Sequence, residues 1–115
     1  MELIFHIAEA AGWNEALARG EYRQSTLGYT LDQAGFIHCS RRDQVEGVAN
    51  AVYRDRSDLL LLLIDRQKVR AEIRDENLDG GSEVFPHIYG PLNLDAVTSV
   101  LPFAPGADGR FAGPF

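Results

Sequence analysis

The chain holds one cysteine, one methionine and one tryptophan among 115 residues. A single thiol, Cys39, excludes an internal disulfide framework. A lone thiol in an apolar run suits a reducing compartment. Positive charge is also scarce. Eleven Lys and Arg face seventeen Asp and Glu, for a formal net charge of -6 at pH 7. Phosphate backbones are held by basic footprints, so no nucleic-acid partner is expected. Long apolar runs are missing too. The longest, Leu59 to Ile64, is far too short to span a bilayer, so no membrane partner is expected. The opening run after Met1-Glu2 lacks the basic flank and cleavage site of a signal peptide, and a cytoplasmic protein is expected. No Gly-rich phosphate loop of Rossmann or P-loop type is present.

What is there suffices for one ordinary core: 45% of residues are hydrophobic and 24% charged. The three histidines all lie in short apolar, aromatic-flanked runs: Leu3-Ile4-Phe5-His6-Ile7, Gly35-Phe36-Ile37-His38-Cys39-Ser40 and Phe85-Pro86-His87-Ile88-Tyr89-Gly90. Such runs read as strands, in which alternate side chains share a face. Phe36, His38 and Ser40 then share one face. Phe85, His87 and Tyr89 share another.

The pattern predicts a strand at 3–7, a helix at 9–19 ended by Gly20, and a loop with one helical turn near Thr30. A second strand follows at 36–39. Ser40-x-x-Asp43 matches a capping box, so Ser40 is expected to cap a helix over 42–53 with Val45, Val48, Ala49 and Val52 on one side. Leu59 to Ile64 suits a strand buried on both faces. Weaker strands are expected at 71–76, 85–89 and 97–103. Pro86 argues against a central place for the strand that carries it. The fold class is α+β, a compact mixed sheet with two main helices, over a single domain at 1–103. Residues 104–115 read as a Gly/Pro-rich tail.

His38, at a strand end with a helix start behind it, is either a general acid/base or a buried histidine bonded to backbone. His6 in a first strand reads as structural on its own. His87 shares a face with Tyr89, and its backbone is fixed by Pro86. None of the three sits at compact ligand spacing, so no metal site is expected. Cys39 faces away from His38 and reads as a small core residue. Glu76, before the Gly-rich loop, offers a carboxylate for a substrate hydroxyl.

The runs Gly35-Phe36-Ile37-His38-Cys39-Ser40 and Phe85-Pro86-His87-Ile88-Tyr89-Gly90-Pro91 together resemble a family of small bacterial proteins known as domain of unknown function 952. Trp13, Gly20, Tyr22, Gln44, Ile64-Asp65 and Ala96-Val97 add to the likeness, which covers about residues 3 to 101. That family in turn looks like a divergent relative of the ADP-ribosyltransferases, and of the RNA 2′-phosphotransferases in particular. The shared features are a first-strand His (His6), a helix ending in Gly (Gly20), a second-strand His-x-Ser (His38-Cys39-Ser40) and an apolar strand ending in Asp65.

The resemblance implies a split sheet with a cleft for a nucleotide-like small molecule, and NAD as a candidate substrate rather than a bound cofactor. His6 would hold the dinucleotide. His38 and Ser40 would line the cleft, Glu76 would be the late carboxylate, and His87 and Tyr89 would shape the site. With His38 and Glu76 as catalytic groups the protein would be a transferase. The alternative is a binding module for a small ligand or protein, built on the same fold without turnover.

Overall fold

The computed structural model describes residues 1–78 and 80–112. In chain order the strands are β1 (Leu3–Glu9), β2 (Glu21–Tyr22), β3 (Ile37–His38), β4 (Leu59–Asp65), β5 (Glu72–Glu76), β6 (Phe85–Tyr89), β7 (Leu92–Asn93) and β8 (Val97–Phe103). The α-helices are α1 (Ala10–Arg19), α2 (Leu31–Ala34) and α3 (Val45–Val52). Gly20 ends α1 with φ 97°, a left-handed cap that costs a glycine little. Thr30 starts α2 through a capping box with Gln33.

The leucine-rich run forms β4, the middle strand of the sheet β1-β4-β8. Its side chains alternate between two cores. Leu62 and Ile64 join Ile4 and Ala8 of β1 in one; Leu59 and Leu61 join Phe5 and Ile7 in the other. Burial on both faces is why this strand is apolar without interruption. β3, β6 and β5 form a second three-stranded sheet, and β2 pairs with β7. The two larger sheets meet at one bridge, where Phe5 and Ser40 exchange backbone hydrogen bonds of 2.9 and 2.7 Å. The sheet is therefore split, as expected.

Three expectations are corrected. The sheet is antiparallel rather than mixed at every strand pair among the described residues. The Ala10 N–H bonds the Asp58 carbonyl at 2.8 Å, so the chain between β1 and β4 leaves and returns at one sheet end. That return forces opposite strand directions. Second, Ser40 caps no helix. Its backbone is taken by Phe5, and a 3-10 turn at Arg42–Gln44 leads into α3 instead. Third, the strand of Pro86 is the central one of its sheet. The Pro86 carbonyl accepts from Cys39 N–H at 2.9 Å, so the N–H it lacks would face the chain just where β3 ends and crosses to β1.

The described part of the Gly/Pro-rich tail is docked. Phe111 is buried against Phe103, with ring centroids 4.8 Å apart. Asn50 of α3 clamps it, accepting from its N–H at 2.8 Å and donating to its carbonyl at 3.0 Å. Residues 113–115 lie outside the described residues. Among the described residues no helix is long and apolar enough to cross a membrane.

Candidate functional site: a histidine pair at two clefts

β3 pairs with β6 so that His38 lies opposite His87 and Ile37 opposite Ile88. The Cys39 to Pro86 hydrogen bond flanks the histidine pair, which places it at the closely spaced position of an antiparallel ladder. There the two side chains project to the same face and meet. The imidazoles touch through His38 Nδ1 and His87 Nε2, 3.3 Å apart. The other ring nitrogen of His87, Nδ1, lies 3.0 Å from Glu76 Oε1. The Tyr89 hydroxyl donates to that same carboxylate oxygen.

The sheet face is thus a connected row running His38, His87, Glu76, Tyr89. Aromatic rings enclose it. Phe36 stacks on His87 at 4.1 Å, Phe85 lies 5.0 Å from His38, and His87 is only 4% exposed. On the outer strand Arg74 sits over the Tyr89 ring at 4.3 Å and bonds Glu72 at 2.8 Å. The opposite face carries Ile37, Cys39 and Ile88 into the core.

Electrostatics follow the contacts. The Tyr89 hydroxyl, and then His87, hold the Glu76 carboxyl below the usual range, so it is a carboxylate at neutral pH. The same hydrogen bond to Glu76 pushes the Tyr89 hydroxyl up. Burial pushes the Cys39 thiol up, which keeps it protonated and unreactive.

Two open clefts adjoin at the His38 end of the row. One, of about 330 Å³, is lined by Ser25, Thr26, Tyr29, Phe36 and His38 with Val48 and Val52 of α3. The other, of about 410 Å³, is lined by His38, Gln44, Val48, Val52 and Phe85, with Asp43 and Glu83. Both share His38, Val48 and Val52. Val48 packs against the core as the helical spacing predicts and also lines both clefts, whereas Val52 lines the clefts and is exposed. Gln44 is buried and fixed by the Val84 carbonyl at 2.9 Å and the Arg41 N–H at 2.9 Å.

The other sequence-derived candidates fall elsewhere. His6 is 1% exposed and both ring nitrogens are engaged within the protein. Its Nδ1–H donates to the His38 carbonyl at 2.6 Å, and Nε2 accepts from the Tyr22 hydroxyl at 2.8 Å. A carbonyl only accepts, so these partners set the tautomer. Burial lowers the His6 pKa to about 4, the backbone bond to His38 offsetting only part of that, so the ring is neutral at pH 7. His6 therefore positions His38 and offers no ring nitrogen to a ligand. Ser40 is buried at the bridge to β1 rather than along the clefts. Of the six candidates, His38, His87, Glu76 and Tyr89 come together. Arg74 was missed, although Glu72, Arg74 and Glu76 alternate along a strand and so share its face. Among the described residues no group of three or more His, Cys, Asp or Glu is arranged to hold a metal ion.

Likeness to known proteins agrees with this architecture. The profile of a family described as "Protein of unknown function (DUF952)" matches residues 7–100. No curated protein matches the chain. The crystal structure of protein CC0527 from Caulobacter crescentus is 32% identical, covers 96% of this chain and 93% of its own, and superposes with a TM-score of 0.81. The solution NMR structure of CC0527 is 32% identical and covers 96% of this chain and 91% of its own, with a TM-score of 0.78.

Proposed function

We propose that this chain, which belongs to the DUF952 family, binds the planar heterocycle and ribose of a nucleotide of the NAD class in the paired clefts at His38. The observation that carries this reading is the placement of His38. It is the polar ring shared by two clefts whose apolar and aromatic walls are Val48, Val52, Phe36, Tyr29 and Phe85, with Ser25, Thr26 and Gln44 as the uncharged polar groups. Small-ligand sites have this composition: mostly apolar and aromatic walls, a few polar groups that set orientation, and volumes of about 300–1,000 Å³. Among the described residues no Lys or Arg lines either cleft, and Asp43 and Glu83 line the second. The uncharged ring and sugar therefore belong inside, and the phosphates outside in solvent.

In a transfer reaction of the ADP-ribosyl type, the bond from nicotinamide to C1′ of the ribose breaks and nicotinamide leaves with the bonding pair. The acceptor oxygen bonds to C1′ and its proton passes to His38. Isothermal titration of the wild type and of His38→Ala with NAD, nicotinamide riboside and nicotinamide tests the binding. The riboside should bind about as well as NAD, and His38→Ala should weaken both by at least about tenfold. No heat with any of the three ends the proposal.

A second reading, binding without turnover, is favoured by His6. The residue that the resemblance would use to hold the dinucleotide spends both nitrogens on Tyr22 and His38. Nicotinamide release that depends on His38, followed by chromatography, decides for the transferase; binding without release decides for the module.

A further inference from the structure

We propose that Glu76 and His87 are positioning residues that fix the tautomer of His38 and make its Nε2 a base for a hydroxyl acceptor. The inference deepens the reading above and rests on it for the substrate alone. The argument runs inward from solvent. Glu76 is a carboxylate and only accepts, so His87 donates to it through Nδ1–H at 3.0 Å. With His87 neutral, its Nε2 then carries a lone pair. That lone pair faces His38 Nδ1 at 3.3 Å, so His38 donates there and holds its own proton on Nδ1. The basic nitrogen of His38 is then Nε2, the one remote from the relay.

The surroundings reinforce this order. Phe36 lies flat on His87 and encloses it, so the charge of Glu76 acts on His38 through ring hydrogen bonds rather than through water. Tyr89 donates to Glu76 as well and keeps it ionised. The backbone of His38 is held independently, its carbonyl by His6 at 2.6 Å and its N–H by the Ser25 hydroxyl at 3.4 Å. Among the described residues, charged groups near the pair include Asp43 and Glu83 along the second cleft, Arg74 over Tyr89, and Asp75 on the far face, which Arg66 holds in a two-pronged pair at 2.8 and 2.6 Å. A proton taken at Nε2 makes an imidazolium whose Nδ1–H points at His87, with the Glu76 charge behind it.

The relay also selects the acceptor class. A carboxylate acceptor brings no proton and needs no base. An alcohol or water does: as its oxygen bonds to C1′ and nicotinamide leaves, its proton goes to His38 Nε2 and then to solvent. The groups that would remove that proton are the ones present, so the acceptor is a hydroxyl compound.

The test uses two-bond proton–nitrogen correlation spectra of the ligand-free, 15N-labelled protein, recorded from pH 5 to pH 9. In the wild type, His38 and His87 should both carry the proton on Nδ1. Glu76→Gln keeps an acceptor for His87 but removes the charge, so the Nδ1–H form should persist while the His38 titration midpoint falls by about half a unit or more. His87→Leu should release His38 to the Nε2–H form, and His87→Gln, whose amide oxygen accepts, should restore Nδ1–H. A wild-type His38 protonated on Nε2 overturns the proposal, as does a His38 titration unmoved in Glu76→Gln. Glu76→Gln keeps the shape of a side chain that is 22% exposed and its oxygen still accepts from His87 and Tyr89, so a folded sample is expected. Because no ligand is present, a protein that shows the relay but binds no nucleotide overturns the function above and leaves the relay standing.

Discussion

The ring of His6 donates through Nδ1–H to the carbonyl of His38 at 2.6 Å, so the enclosed histidine holds the backbone of the one that lines the clefts. Two strands that share no ladder are joined at that bond and at the neighbouring Phe5–Ser40 bridge. These contacts tie the strand that carries His38 to the edge of the other large sheet. Removing the ring takes away the hydrogen bonds of 2.8 Å to the Tyr22 hydroxyl and 2.6 Å to the His38 carbonyl. Stranded buried polar groups cost about 1–3 kcal/mol each, so His6→Ala should destabilise by about 2–5 kcal/mol and Tyr22→Phe by about 1–3 kcal/mol. Urea unfolding measures both, and a loss under half a kilocalorie in His6→Ala would mean the latch holds nothing.

The same burial gives the protein a pH dependence. His6 titrates near 4 in the folded state against 6.5 for an exposed histidine. Between these values the unfolded chain binds a proton that the folded chain refuses, so stability falls as pH falls through that window and is fully present above it. Between pH 7 and pH 5 the expected loss is about 2 kcal/mol. Carboxylates titrate mainly below that range and add little. Urea midpoints at the two pH values, in wild type and in His6→Gln, isolate the contribution, because the variant should show a much flatter response.

Much of the site was legible in the sequence because strand alternation is a local rule. Phe36 with His38, and Phe85 with His87 and Tyr89, follow from it alone. Gly20 as a helix cap follows from chain geometry just as locally. What escaped were features decided by distant partners. Ser40-x-x-Asp43 reads as a cap until the exposed edge of β1 claims Ser40 for a bridge. Val52 reads as core until the clefts open beside it. The roles of His6 and Tyr22 depend on a contact between residues far apart in sequence, which no spacing rule reports. Pro86 was judged by what it lacks, when its missing N–H falls where pairing with β3 has ended.

Phe111 shows the same limit, since a Gly/Pro-rich composition hid a buried ring. It fills the core beside Phe103 and is tied at both backbone groups by Asn50. Phe111→Ala should cost about 3–5 kcal/mol through the cavity it leaves. Ending the chain at residue 105 should cost a similar free energy, read by calorimetry as a melting temperature lower by about 10 °C or more. A truncated chain as stable as the full one would contradict the docking.

Gly90 follows the His87-Ile88-Tyr89 run where the chain passes Ala71. A Cβ at Gly90 would lie 2.8 Å from the Cβ of Ala71, closer than two methyl groups allow. Gly90→Ala should therefore destabilise by about 1–3 kcal/mol, the range for overpacking. Pairing it with Ala71→Gly should recover most of the loss, and a double-mutant cycle checks this.

Binding at the clefts is the claim on which the rest depends. Amide and methyl spectra of the labelled protein, titrated with nicotinamide riboside, read it directly. Shifts should concentrate at Phe36, His38, Val48 and Val52, saturate with one ligand per chain, and vanish in His38→Ala while that variant stays folded. Shifts absent from these residues, or identical in His38→Ala, would contradict it.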